Sequence, residues 1–499
     1  MPPPQPSGDV LVEPPIIELS TVSSARSIHN PGSAGPGNPR NTDPIHALHQ
    51  TSTKQFVIIV ASSFTIIFTC CGLNFAWGVY QALYENLSKQ PHTPFTGATP
   101  AEIDLIGTIS CSLMTIGAPF SVAWAKAFPP RMVAFTGGFV FAVSLVLASF
   151  GQSLWHFELS QGVLNGLGTC LCYMVAVTIA PPWFTQHRGL AMGIILAGTG
   201  VGGLVWAPAL TASVEHLGFR NTLRLTGAVS FTLISLSSSA MAWDPVSRHQ
   251  IALENAARRR HRSSSSSSSS SRTRRMHGLL LKVPLVDWRV ARSRRFLAQA
   301  LGAIFQAAAY YTPVFFYASY AQTLGYSTTA SANFIALSNA CNAIGKVLIG
   351  YLADRVGRLN ALFLTTLLSA IATVAFWLPS TLAGVSAQSK ALFITFTVLY
   401  GVFASAYVSL FPASLVELFG AQNFASVNGV LYMVRGMATM IGTPVGGVLI
   451  RSSTSSSPGA FKNMSLLVSV LLFAATMSVL WVRLEALVGV HGAGSKWHS

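Results

Sequence analysis

The chain has 499 residues, 51% of them hydrophobic and only 9% charged, with a formal net charge of +16. Soluble domains of that combined length could not bury so much apolar sequence, and a mean hydropathy of +0.51 puts the chain in the membrane class. The charge does not argue for nucleic acid: thirteen Lys or Arg against three acids fall between Asp244 and Arg295, so the excess belongs to one loop.

Residues 1–54 are rich in Pro, Ser, Gly and Asn without an apolar run, which predicts a disordered cytoplasmic tail. Nothing in the first 30 residues has the sustained apolar core of a signal peptide, so the first span is expected to start insertion. Apolar runs of about 20 residues recur at 56–80, 103–125, 131–150, 157–180, 189–211, 222–243, 296–320, 329–353, 359–379, 391–413, 424–450 and 463–484. Twelve spans, an even number, put both termini on one side, and the basic loop places that side in the cytoplasm. The expected class is an all-α membrane protein of twelve transmembrane helices in two six-helix bundles, residues 55–243 and 296–485. Residues 244–295 form a basic, Ser-rich cytoplasmic linker between them, and 486–499 a cytoplasmic tail.

Span 1 carries Asn74 inside its apolar run, a side chain that needs a partner or a cavity in hydrocarbon. Trp77, Tyr80 and Tyr84 follow toward the outer surface. The next loop is expected outside and contains the sequon Asn86-Leu-Ser88; a second, Asn463-Met-Ser465, lies beside the last outer loop. Span 2 closes on AWAKAFPPR, with Lys126 near its end. Span 4 presents Gly162, Gly166 and Gly168 as a small-residue face, and span 5 opens with Arg188 and continues through AGTGVGG at 197–203.

The linker holds RRRHR, nine serines from Ser263 to Ser271, then RTRR, and a stretch over 279–290 that could lie along the bilayer. Its basic flanks suit anionic headgroups, an attraction that phosphorylation of the serines would weaken. Gln306, Tyr310 and Tyr311 on span 7 are candidate cavity liners. Two cations stand deep in spans: Lys346 in span 8 and Arg435 in span 11. Burial of such a group costs about 2.5–3.5 kcal/mol on insertion scales, so each needs a partner or a role. Asn342 and Asn339 precede Lys346 by four and seven residues and share its helix face, a stripe suited to an anion. Glu417 closes span 10, placed to pair with Arg355 or Arg358.

The halves echo one another. Gly166 to Phe184 in span 4 and Gly401 to Phe419 in span 10 have the same separation, Gly193 is answered by Gly429, and Gly117 by Gly345. In that alignment Lys126 stands where the second half has Asp354. The six cysteines, Cys70, Cys71, Cys111, Cys170, Cys172 and Cys341, all fall in spans and read as small core residues, neither disulfides nor metal ligands. No Walker loop, HExxH, GxSxG or paired-carboxylate arrangement is present, so neither enzyme chemistry nor a cofactor is expected.

GKVLIGYLADRVGR at 345–358 resembles the inter-helix motif of the major facilitator superfamily. GLNFAWGVYQ, QGVLNGLG and WFTQHRGLAMG are similar to the fungal monocarboxylate-transporter-like branch. The resemblance implies that Asp354 caps a neighbouring helix and that Arg355 and Arg358 hold an inner gate by charge pairs, Glu417 among their partners. It also implies transport of a small organic solute by alternating access, with a proton as candidate coupling ion. The family's acid and cation on span 8 correspond to Asn342 and Lys346, so the cation is kept and the acid is an amide. The family's acidic opening of span 1 is replaced by Lys54-Gln55-Phe56, and its lysine there by Asn74-Phe75. The expected substrate site is Lys346, Asn342, Arg435, Asn74, Asn339 and Tyr311, serving a monocarboxylate or other organic anion across the plasma membrane. Export of a secondary metabolite and a non-transporting nutrient sensor are the alternatives.

Overall fold

The computed structural model describes residues 53–184, 186–264, 286, 288–450 and 457–494. The expected tail up to residue 52, most of the serine run and most of the 279–290 stretch lie outside them. Among the described residues there are helices and no strands.

The first crossing is α1 (Thr53–Phe75) followed, after a break at Ala76, by α2 (Trp77–Ser88). Because α2 continues through Ser88, Asn86 lies exposed on its last turn rather than in a loop. The second crossing is α3 (Pro100–Ile116) and α4 (Ala118–Ala127), bent by 46° at Gly117. Pro119 explains the bend, since it donates no N–H and crowds the preceding turn. A capping box starts α3: the Glu102 amide donates to Thr99 Oγ1, and the Thr99 amide to the Glu102 carboxylate at 2.7 Å. The third crossing is α5 (Pro130–Ala148). The fourth runs through Leu154–Phe157 and a π-helical segment, Glu158–Leu164, into α6 (Asn165–Ile179).

The next helix, α7 (Arg188–Ser238), has 51 residues. A straight helix of that length would reach about 76 Å, more than twice a hydrocarbon core of about 30 Å. It is broken at Gly218, with φ 73° and ψ 160°, into the fifth and sixth crossings. Then α8 (Pro245–Ser264) gives the first part of the linker a helix. The second half consists of α9 (Arg294–Thr323), α10 (Thr328–Val356), α11 (Arg358–Ala372), α12 (Ala387–Val448) and α13 (Lys462–Gly494). A π-helical segment, Thr373–Trp377, and the short helix Leu378–Leu382 prolong α11. The 62 residues of α12 break at Gly420 in the same conformation as Gly218. Asn463 is exposed at the start of α13, which runs on to Gly494, beyond the expected end of the last crossing.

Among the described residues eight helices are long and apolar enough to cross a membrane, nine with the bent pair. The two double-length helices each hold two crossings, and α9, diluted by Gln299, Gln306 and four tyrosines, supplies the remaining one of twelve.

Equivalent glycines set the packing in both halves. Gly166 of α6 lies against Ser110 and Leu113 of α3, as Gly401 of α12 lies against Ser338 and Cys341 of α10. Two seams join the halves. In one, Gly193 and Gly200 of α7 meet the α10 backbone at Lys346 and at Asn339 and Ala343. In the other, Gly429 and Gly436 of α12 meet Pro119 and Thr115 of the second crossing. Each pair is seven residues apart, two turns on one face, and a Cβ at Gly436 would stand only 2.6 Å from Thr115 Oγ1. Gly193→Leu should therefore wedge α7 from α10. Hydrogen exchange of the Gly189 and Leu190 amides, bonded across that seam, should quicken at least about tenfold, a loss of roughly 1.4 kcal/mol of protection. Unchanged protection would refute the packing argument.

Candidate substrate cleft and gate

Near the linker, the seam between α7 and α10 is closed by one carboxylate. Asp354 accepts from the Gly189 amide through Oδ1 and from the Leu190 amide through Oδ2, both at 2.8 Å. These are first-turn amides of α7, which have no partner within their own helix and carry the positive end of its dipole. Arg358, four residues on, donates to the same carboxylate at 3.0 Å and sits 3.8 Å from the Glu417 carboxylate. Arg355 does not join them: it is exposed and lies over the Tyr351 ring at 4.5 Å. Gly357 explains the difference: with φ 98° it ends α10, so Arg358 opens α11 and turns back onto Asp354, while Arg355 stays on the outer side of the last turn of α10. In the other seam Lys126 Nζ donates to Ser426 Oγ at a longer 3.5 Å.

Further into the bundle, Lys346 is 1% exposed. Its ammonium donates to Thr199 Oγ1 at 2.6 Å and to the Leu196 carbonyl at 3.1 Å, both on α7. Asn342 holds its carboxamide oxygen 3.5 Å from the Thr199 hydroxyl and donates to Tyr310 Oη at 3.1 Å. Asn339, also buried, lies against Gly203. The stripe of three thus shares one face and packs on the opposite half. Gln306 is buried in the second half with both amide atoms unpaired.

Arg435 is buried too, with its guanidinium 5.0–5.6 Å from the ring centres of Tyr407, Phe411 and Tyr432. Its Nη1 has no hydrogen-bond partner. From the first half, Tyr173 donates to Tyr432 Oη at 3.3 Å. Among the described residues no carboxylate lies within ion-pair distance of Lys346 or Arg435.

Asn74 and Tyr311 sit elsewhere, on small cavities away from the linker. One, about 40 Å³, is bounded by Asn74, Phe75, Trp77 and Cys111 from the first half and Tyr311 and Phe315 from the second. Another, about 30 Å³, is lined by the first half apart from Phe315 and shares Asn74, Trp77, Cys111 and Phe315 with it. Asn74 Nδ2 is unpaired there. Such volumes suit a few water molecules, not an organic solute, so the conformation is contracted.

Sequence reasoning missed Thr199 and the aromatic cage. Thr199 is the one polar side chain in a glycine-rich stretch that reads as packing, and Tyr407 and Phe411 are four residues apart facing a cation on the next crossing, beyond Gly420. Replacing Asp354 tests the gate. Asp354→Ala removes acceptors worth about 2 kcal/mol, which should speed maleimide labelling of a cysteine placed at Ser405 roughly thirtyfold. Asp354→Asn, keeping one acceptor oxygen without charge, should fall between; equal rates in all three proteins would sink the assignment.

Comparison with known proteins supplies the family. The model of the Major Facilitator Superfamily matches residues 62–386 and 335–490. An "MFS-type transporter" of Gibberella moniliformis is 25% identical over 414 residues, 83% of this chain and 88% of its own length. The agnestins efflux protein of Paecilomyces divaricatus is 22% identical, over 88% of this chain and 89% of its own. Monocarboxylate transporter 12 of Rattus norvegicus is 26% identical over 65% of this chain and 66% of its own. The crystal structure of the human organic anion transporter MFSD10 superposes with a TM-score of 0.57 at 15% identity, covering 85% of this chain and all of that one, a likeness of fold. With its helical halves and a family match spanning nearly all the crossings, the chain belongs to the Major Facilitator Superfamily and is a multi-pass membrane transporter rather than an enzyme.

Proposed function

We propose that this transporter moves a small organic anion, a monocarboxylate being the simplest case, by rocking its two bundles about the Lys346 and Arg435 region. The observation that carries the reading is the pair of buried cations held by neutral partners alone. A hydroxyl, a carbonyl and aromatic faces stabilise a cation without cancelling its charge, so both remain open to an anion. Asn342, Asn339, Asn74 and Tyr311 complete the proposed contacts. Asp354, Arg358 and Glu417 form the proposed inner gate, with Arg355 adding charge at its rim. The names of the rat and human relatives, a monocarboxylate and an organic anion transporter, support the reading by analogy.

Asn342 stands where an acid would carry a proton, so proton coupling in this design places the proton on the substrate's own carboxyl group. The linker and termini are assigned to the cytoplasm of a plasma-membrane protein, and exposed Asn86 and Asn463 to glycosylation outside. Export of a secondary metabolite is the second reading, favoured by the efflux relative that matches along 88% of this chain.

Labelled lactate and pyruvate in proteoliposomes test the proposal. Lys346→Ala should cut anion flux about 100-fold, the equivalent of roughly 3 kcal/mol for a charge-assisted contact, and Lys346→Arg should retain part of it. Undiminished flux in Lys346→Ala overturns the site. Export from loaded cells without uptake would choose the second reading, and signalling without any flux would identify a sensor.

A further inference from the structure

We propose that the anion is two-ended: its far end carries a neutral hydrogen-bond acceptor, a carbonyl or ether oxygen, received by Trp77 and Asn74. This rests on the anion reading above and adds what the other end of the substrate must be.

The first ground is the sign of the unpaired groups. Trp77 Nε1 and Asn74 Nδ2 are both buried, both lack partners, and both residues border the two cavities. An indole N–H only donates, as does a carboxamide NH₂, and so does the unpaired Arg435 Nη1. A buried donor left alone is unfavourable, and a ligand oxygen satisfies it. A simple aliphatic acid would answer Arg435 and Lys346 and leave Trp77 and Asn74 unanswered.

The second ground is rigidity. The indole lies directly on Gly107 of α3, where a Cβ would come within 2.5 Å of Nε1. Tyr84 meets it edge-on at 6.0 Å, and Tyr80 lies tilted beside it at 6.1 Å. A donor fixed this way loses little entropy on meeting its acceptor.

The third is distance and lining. Cys111 borders the same cavities as Trp77, and Thr115, one turn along α3, touches Gly436 beside Arg435. One turn is roughly 6 Å of rise, so α3 presents its contacts toward the two ends about the length of one aromatic ring apart. Phe75, Tyr311 and Phe315 line the cavity at the neutral end and suit a flat apolar body.

The experiment compares uptake of 4-acetylbenzoate and 4-ethylbenzoate in proteoliposomes, two anions of similar shape of which only the first has a ketone. The wild-type protein should favour the ketone at least about fivefold in kcat/KM. The ratio should collapse toward one in Trp77→Phe and in Asn74→Leu, made separately. It does not depend on how much active protein each preparation contains. Arg435→Gln should weaken both probes tenfold or more and leave the ratio in place. A wild-type ratio near one, or a ratio unmoved by both variants, overturns the inference, because water then satisfies these donors, and the anion reading survives. Uptake of neutral 4-acetylbenzamide in place of either benzoate overturns the anion reading, and this inference falls with it.

Discussion

A charge taken into an apolar bundle has to be answered there, and this protein answers two of them with neutral groups. Lys346 spends its protons on a hydroxyl and a carbonyl of the opposite half, while Arg435 lies among three rings. Carboxylate partners would bind more tightly and would also extinguish the positive potential. The seams show how both cations come to the interface. Thr199 and Arg435 each stand six residues after a seam glycine, Gly193 and Gly429, so they occupy matching places in the two halves. One seam carries its cation on α10 and the other on α12, which gives a pseudo-symmetric frame an asymmetric distribution of charge.

The same asymmetry marks the end of the bundle near the linker. Asp354 brings a negative group to the positive end of α7, where two amides await an acceptor. At the matching position of the first half stands Lys126, whose charge has the wrong sign for a helix start and whose ammonium lies 3.5 Å from Ser426 Oγ. Duplicated architecture has kept the backbone contacts on both sides and a strong electrostatic clasp on one.

Much of this was legible in the residues, because bilayer thickness and close helix contact leave periodic marks. The twelve crossings could be read from apolar run lengths, the seam glycines from their repetition in both halves, and Lys346 and Arg435 from their cost in hydrocarbon. What could not be read was which face met which. Thr199 became the acceptor for Lys346 only through the register of α7 on α10, and Arg355 turned outward on the last turn of α10 while Arg358, beyond the break at Gly357, turned inward. The run-based boundaries also stopped short where apolar character faded while helical hydrogen bonding continued, as at Ser88 and in α13.

The single-residue break at Gly420 leaves no slack between the tenth and eleventh crossings. Glu417, beside the Asp354 and Arg358 clasp, is three residues before that break, and Arg435 is fifteen after it on the same unbroken helix. A loop would let one crossing shift while its neighbour stayed still. Here the two crossings share a single-residue pivot, so the carboxylate that approaches Arg358 and the rings around Arg435 are carried on one continuous stretch of chain.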